Sequence, residues 1–150
     1  MPQSIEFHRD QFTISTDKSR LDPEAISAML AGAYWAKGRP PERTARALEN
    51  SLVFGLYDGA QQIGLARVVS DYAVFAYLCD VIVHEAYRAQ GLGKWLIETV
   101  MAHPDLQGLR RWTLATRDAH GLYRQYGWNP LTDPGSWMEI LRPFSPEESG

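Results

Sequence analysis

Residues 74–83, Val-Phe-Ala-Tyr-Leu-Cys-Asp-Val-Ile-Val, form a long and almost uniformly apolar run, and no other stretch restricts the fold as much. Such a run is the pattern of a central strand buried on both faces, which needs covering layers above and below it. A single charge, Asp80, interrupts it. A lone carboxylate in apolar surroundings is costly unless paired, so Asp80 is either a working group or one held by a salt bridge or hydrogen bonds. The run leads into a turn carrying Gly91 and Gly93. Beyond it Leu92, Leu96 and Val100 recur at helical spacing, with Trp95 and Thr99 beside them, until His103-Pro104 ends the helix.

The other elements follow from the same patterns. Residues 11–16 alternate polar and β-favouring side chains, a short first strand. Asp22-Pro23-Glu24 supplies an N-cap, a proline at the first helical position and an early acid, and Ile26, Met29, Leu30 and Ala33 continue as a short amphipathic helix. Gly38 to Pro41 breaks it, and a second helix is expected over 41–48. Asp58-Gly59 between the β-like runs 52–57 and 63–69 signals a hairpin, and residues 70–72 turn the chain into the central run. A strand over 111–116, a helix capped by Asp118 and stopped by Gly127, and a closing strand over 137–141 complete the order. Hairpins followed by β-α-β crossovers imply an α/β (mixed α+β) fold: a twisted mixed sheet of about six to seven strands with helices on both faces. One domain is expected over 1–150, with the polar tail beyond about residue 144 frayed.

Bulk properties exclude several function classes. The formal net charge of −3 gives no basic footprint for nucleic acid. The clusters Arg39, Arg43, Arg46 and Arg110, Arg111 read as solvated faces. Cys79 is the only cysteine, which excludes a disulfide scaffold, and the four histidines lack metal-ligand spacing, so no metal is expected. No run approaches the roughly 18 apolar residues of a membrane span. The start lacks a basic segment followed by an apolar one. A cytoplasmic protein with neither membrane nor nucleic-acid partner is expected, and a homodimer is left open.

The chemistry lies where the central strand turns into its helix, at Arg88-x-x-Gly91-x-Gly93. A helix start leaves backbone N–H groups unpaired and carries positive partial charge. Glycines remove the Cβ atoms that would hold phosphate oxygens away from those donors. Two other glycine-loop readings fail. A P-loop needs Ser or Thr after the lysine, where Trp95 stands, and a dinucleotide fingerprint needs a third glycine at Leu96. The bland alternative is that the glycines only tighten the turn.

The spacing resembles the acetyl-CoA signature of the GNAT superfamily, Gln/Arg-x-x-Gly-x-Gly/Ala, and the strand before it, from Asp80 to Arg88, is also similar. A second element, Ala119-x-x-Leu122-Tyr123-x-x-x-Gly127-Trp128, resembles that family's Ala-x-x-Leu-Tyr-x-x-x-Gly-Phe. The resemblance implies acetyl-CoA as co-substrate. Backbone groups of Val81 and Val83 would pair with its pantetheine arm, and the amides of Gln90, Gly91 and Gly93, with Arg88 and Lys94 nearby, would hold the pyrophosphate. It also implies that Tyr123 returns a proton to the departing thiolate and that Asp80 orients or deprotonates the amine. Tyr34 and Trp35 fall where the family shapes its acceptor pocket. Without the resemblance, Tyr123 reads as a core aromatic, and core packing would serve Tyr34 and Trp35 as well. Two positions depart from the family: Cys79 replaces a common glutamate, and Thr116 a frequent asparagine. The expected activity is acetyl transfer to a primary amine of a small molecule by direct attack in a ternary complex. A protein lysine or N-terminal acetyltransferase, or a non-catalytic acyl-CoA-binding module, is the alternative.

Overall fold

The computed structural model describes residues 3–144, so the frayed tail expected beyond residue 144 lies outside the described residues. Six strands form one sheet in the order β1-β2-β3-β4-β5-β6: β1 Glu6–Arg9, β2 Phe12–Ser15, β3 Leu52–Asp58, β4 Gln61–Ser70, β5 Phe75–Val83 and β6 Arg111–Thr113. Neighbours are antiparallel except β5 and β6, which run parallel. The helices are α1 Pro23–Ala31, α2 Pro41–Glu49, α3 Leu92–Ala102 and α4 His120–Arg124. Asp22 caps α1 as expected, accepting from the N–H groups of Glu24 and Ala25. Among the described residues no helix is long and apolar enough to cross a membrane.

The two faces of the sheet are buried separately. Ile14, Phe54, Ala66, Leu78, Leu96 and Val100 belong to the larger core under α3. On the other face Ile26, Met29 and Leu30 of α1 cover Val53, Leu65 and Ile82. The expected two-sided burial of residues 74–83 is therefore met, with one irregularity. Leu65 pairs with Ile82 but Arg67 with Cys79, so two residues of β5, Asp80 and Val81, stand opposite one of β4. Asp80 has φ +51, a left-handed conformation that aspartate tolerates better than most residues. The extra residue shifts the side-chain alternation. Before the bulge, Ala76 and Leu78 pack into the α3 core; after it, Ile82 packs under α1, while Val81 and Val83 turn to the α3 side.

Several expectations need correction. Strand β1 has no counterpart in the sequence reading; its hairpin turns at Asp10 (φ +54) without a glycine to mark it, and the strand is mostly exposed. Strand β6 ends at Thr113 rather than 116. Asp118 does not cap α4; the Thr116 hydroxyl accepts the Ala119 N–H instead, at 3.2 Å. Residues 137–141 form no strand, and Met138, Ile140 and Leu141 are 95%, 80% and 79% exposed. Strand propensity is realised only on a paired, half-buried surface, and the chain leaves the sheet edge at Trp137, whose ring lies 5.0 Å from the Arg111 guanidinium carbon.

Gly64 marks where β4 passes closest to its neighbours. A Cβ there would meet Leu56 Cδ2 at 2.9 Å and the Ile82 carbonyl at 3.1 Å, and the carbonyl cannot move without disturbing the ladder. Gly64→Val is expected to cost about 1–3 kcal/mol by overpacking, read as a lower denaturant midpoint with an unchanged slope.

Candidate active site

Strands β5 and β6 pair through three residues only, Phe75 to Tyr77 against Arg111 to Thr113. Beyond them the strands separate, and the gap is a cavity of about 670 Å³ lined by residues 78–83 of β5, 114–119 after β6, the turn before α3 and Tyr123. It opens at the carboxyl ends of two parallel strands, where α/β sheets generally place ligands. The backbone there is available. His84 N–H bonds the Ile63 carbonyl on β4 at 2.7 Å, so by strand alternation Val83 and Val81 turn their backbone groups to the opposite, open edge. The Val83 carbonyl is already engaged, accepting from Arg88 Nε at 2.9 Å.

At one end lies the glycine turn. Gly91 caps α3 in a left-handed conformation, φ +79, with no side-chain cap. The first intrahelical bond runs from Trp95 N–H to the Gly91 carbonyl, 3.0 Å, so the preceding amides of the first turn have no partner within the helix. A Cβ on Gly91 would meet nothing within 4 Å, and one on Gly93 only Val83 Cγ2 at 4.0 Å. Both would project into space that the protein leaves empty, as a cradle for phosphate oxygens requires. Ala89 is also left-handed, φ +66, and the Tyr87 hydroxyl ties the turn to Asp58 at 2.8 Å. Arg88, Gly91 and Gly93 line the cavity, whereas Gln90 and Lys94 stand exposed beside it.

The other end is organised around Asp80, 4% exposed. Arg39 Nη2 donates to both carboxylate oxygens at 3.1 Å, Arg67 Nε donates at 2.9 Å, and the Trp35 indole N–H at 2.9 Å. Burial alone would raise the Asp80 pKa, but the hydrogen bond from Arg67 and the charge of Arg39 outweigh it and hold the group below the usual carboxylate value. The arginines are fixed in turn by the Thr44 and Ser51 hydroxyls. Arg39 therefore does not belong to a solvated face, as its sequence cluster suggested. Arg67 went unnoticed, although a charge at the centre of an apolar strand, facing a run with one carboxylate, was a signal for it. Burial pushes the Cys79 thiol up to about 11, so it remains protonated and is no nucleophile at neutral pH. Trp35 and Tyr34 both line the cavity. The Tyr34 hydroxyl accepts the Arg117 N–H at 2.9 Å, and the Arg117 guanidinium lies 3.7 Å over its ring.

Tyr123 sits between these ends, on α4. Burial, with a smaller contribution from nearby Tyr34, pushes its phenol up to about 12. Among the described residues its hydroxyl has no hydrogen-bond partner, so a neutral donor borders the cavity.

A sheet that opens at a bulge, a glycine turn with open space over the first amides of α3 and a phenol beside the gap fit the acyltransferase site that the sequence resemblance implies. Comparison with known proteins agrees. The acetyltransferase (GNAT) domain family matches residues 49–130. A crystal structure from Xanthomonas campestris pv. campestris, assigned to acetyltransferases of the same family, shares 47% identity over 96% of each chain with a TM-score of 0.84. An uncharacterized N-acetyltransferase, ycf52-like, from Prochlorococcus marinus is 32% identical over 79% of this chain and 69% of its own. A GNAT acetyltransferase from Elizabethkingia anophelis, crystallised with acetyl-CoA bound, shares the fold at 16% identity, with a TM-score of 0.64 over 91% and 92% of the two chains. The chain belongs to the GNAT family and is an acyl-CoA-dependent acetyltransferase.

Two outcomes follow from the geometry. Gly91→Glu places bulk and negative charge in the empty cradle, so CoA binding should fall below detection in calorimetry while circular dichroism shows a folded protein. Asp80→Asn should cost about 3 kcal/mol at neutral pH, because it leaves two guanidinium groups facing a neutral amide. Since folding depresses the Asp80 pKa, its contribution is present above the unfolded value of about 3.9 and is lost as pH falls through the folded one. Urea melts of the two proteins should therefore converge in acid.

Proposed function

We propose that the protein transfers an acetyl group from acetyl-CoA to a primary amine of a small molecule, by direct attack within a ternary complex in the cytoplasm. The observation that carries this reading is the single cavity joining the empty glycine cradle to the Asp80 cluster past the Tyr123 phenol. The first-turn amides of α3, with Arg88 at the mouth, hold the pyrophosphate, and the open edge at Val81 and Val83 receives the pantetheine amides. The half-buried thiol of Cys79, kept protonated by its raised pKa, favours direct attack over a covalent enzyme intermediate. Tyr34 and Arg117, packed on each other in the cavity wall, favour a compact acceptor over a protein chain.

Each residue then has a limited task. Asp80 stays ionised and saturated with donors, which suits a positioning residue that holds Trp35, Arg39 and Arg67, and the amine releases its proton to solvent. Tyr123 donates to the sulfur as charge develops there. A phenol at about 12 is a weaker acid than a thiol near 8.5, and full transfer between those values would be uphill by about 5 kcal/mol. The phenol acts chiefly as a hydrogen-bond donor that strengthens in the transition state.

Release of CoA thiol, measured across a panel of small amines and lysine peptides, tests the acceptor class; turnover confined to the peptides would overturn it. With a responding amine, Tyr123→Phe should lower the catalytic rate by about 10²–10⁴-fold and leave CoA affinity nearly unchanged. Tyr126, whose hydroxyl bonds exposed Glu98 at 2.9 Å, supplies the control, and Tyr126→Phe should be mild. Normal turnover by both variants would remove Tyr123 from the reaction.

A further inference from the structure

Among the described residues the sheet ends at β6, with nothing paired to its outer edge. Along that edge runs a second groove, of about 560 Å³, between residues 112–116, α4 and residues 128–131. Its apolar walls are Trp112, Leu114, Tyr123, Trp128 and Leu131, with Trp112 and Trp128 meeting edge to face at 5.9 Å. The same chain carries a β-favouring segment without a partner. Met138, Ile140 and Leu141 stand almost wholly in solvent, although this segment was read from the sequence as a strand.

An open sheet edge and a bare apolar strand are each aggregation-prone and are normally covered. Here each fits the other, but the chain's own segment is poorly placed to fill its own groove. Trp137 is anchored over Arg111, the first residue of β6, so the following residues depart from that end of the edge. We infer that residues 137–141 of a second copy of this chain pair with the free edge of β6 and fill the groove, in a reciprocal exchange about a twofold axis. Twofold symmetry covers both edges and both segments at once. Charge agrees: the segment carries Glu139, while Arg111 and Arg124 flank the edge that receives it. The exchange also reaches the active site, because Tyr123 and residues 114–116 border both the groove and the catalytic cavity. The partner's strand would support from behind the wall that carries the phenol.

Light scattering on the eluting full chain should give twice the 17.0 kDa monomer mass. The double variant Met138→Asp, Ile140→Asp tests the contact. Both side chains are solvent-exposed in the single-chain fold, so the charges should leave folding intact, and the variant should elute as a monomer with unchanged circular dichroism. Hydrogen exchange should show amides 138–141 protected in the wild type and fast in the variant. A monomeric wild type, a dimer that survives the double variant, or a monomer with protected 138–141 amides would each overturn the proposal; the last would mean that the chain fills its own groove. If the variant fails to fold, wild-type mass and exchange together still decide.

Discussion

The contact between Asp80 and its two arginines holds together parts of the molecule that the backbone leaves separate. It lies at the β5 bulge, takes one guanidinium from the neighbouring strand through Arg67, and reaches the helical side through Arg39 and Trp35. A left-handed aspartate with an extra residue beside it would be a weak point in an ordinary ladder. Three charged or polar donors on a buried carboxylate make that conformation tenable. The bulge then shifts the side chains of residues 81–83 to new faces and exposes backbone to the gap. Removing the cluster would disturb more than a local charge balance, because the direction of the strand leading to the cradle depends on it.

The two ends of the cavity use different physics. At the turn before α3 the protein offers little but backbone: glycines without Cβ atoms, unpaired amides and the partial charge of a helix start. That is suited to a phosphate group common to many substrates. At the other end, side chains dominate, and Tyr34, Trp35, Arg117 and the Asp80 cluster give the space its shape and charge. On the proposed reading, the donor is held chiefly by backbone that the fold itself supplies, and the acceptor by a few replaceable side chains.

The central strand, its terminal glycine turn and α3 were legible from the sequence because each follows a local pattern: an apolar run, a φ that favours glycine, a helical repeat. The Asp22 cap was legible for the same reason. What escaped was set by contacts distant in sequence. Arg39 and Arg67 are separated from Asp80 by 41 and 13 positions, and nothing local distinguishes a guanidinium that finds a buried carboxylate from one that faces water. Strand β1 escaped because its hairpin uses Asp10 where a glycine would have announced the turn. Residues 137–141 erred in the opposite sense: their composition suits a strand, but a strand also needs an edge to pair with.

The parallel pairing of β5 with β6 through three residues has a thermodynamic consequence. The portion of the chain beyond α3 is joined to the main sheet by a short ladder, and the gap beside that ladder is a long cavity walled by both portions. A molecule occupying its length touches β5 on one side and the α4 region on the other, so its binding energy adds to the cohesion between them. Ligand concentration then becomes a variable of folding itself: beyond its ladder and its packing on the α3 core, the part of the chain after α3 gains a further tie to β5 when the cavity is occupied.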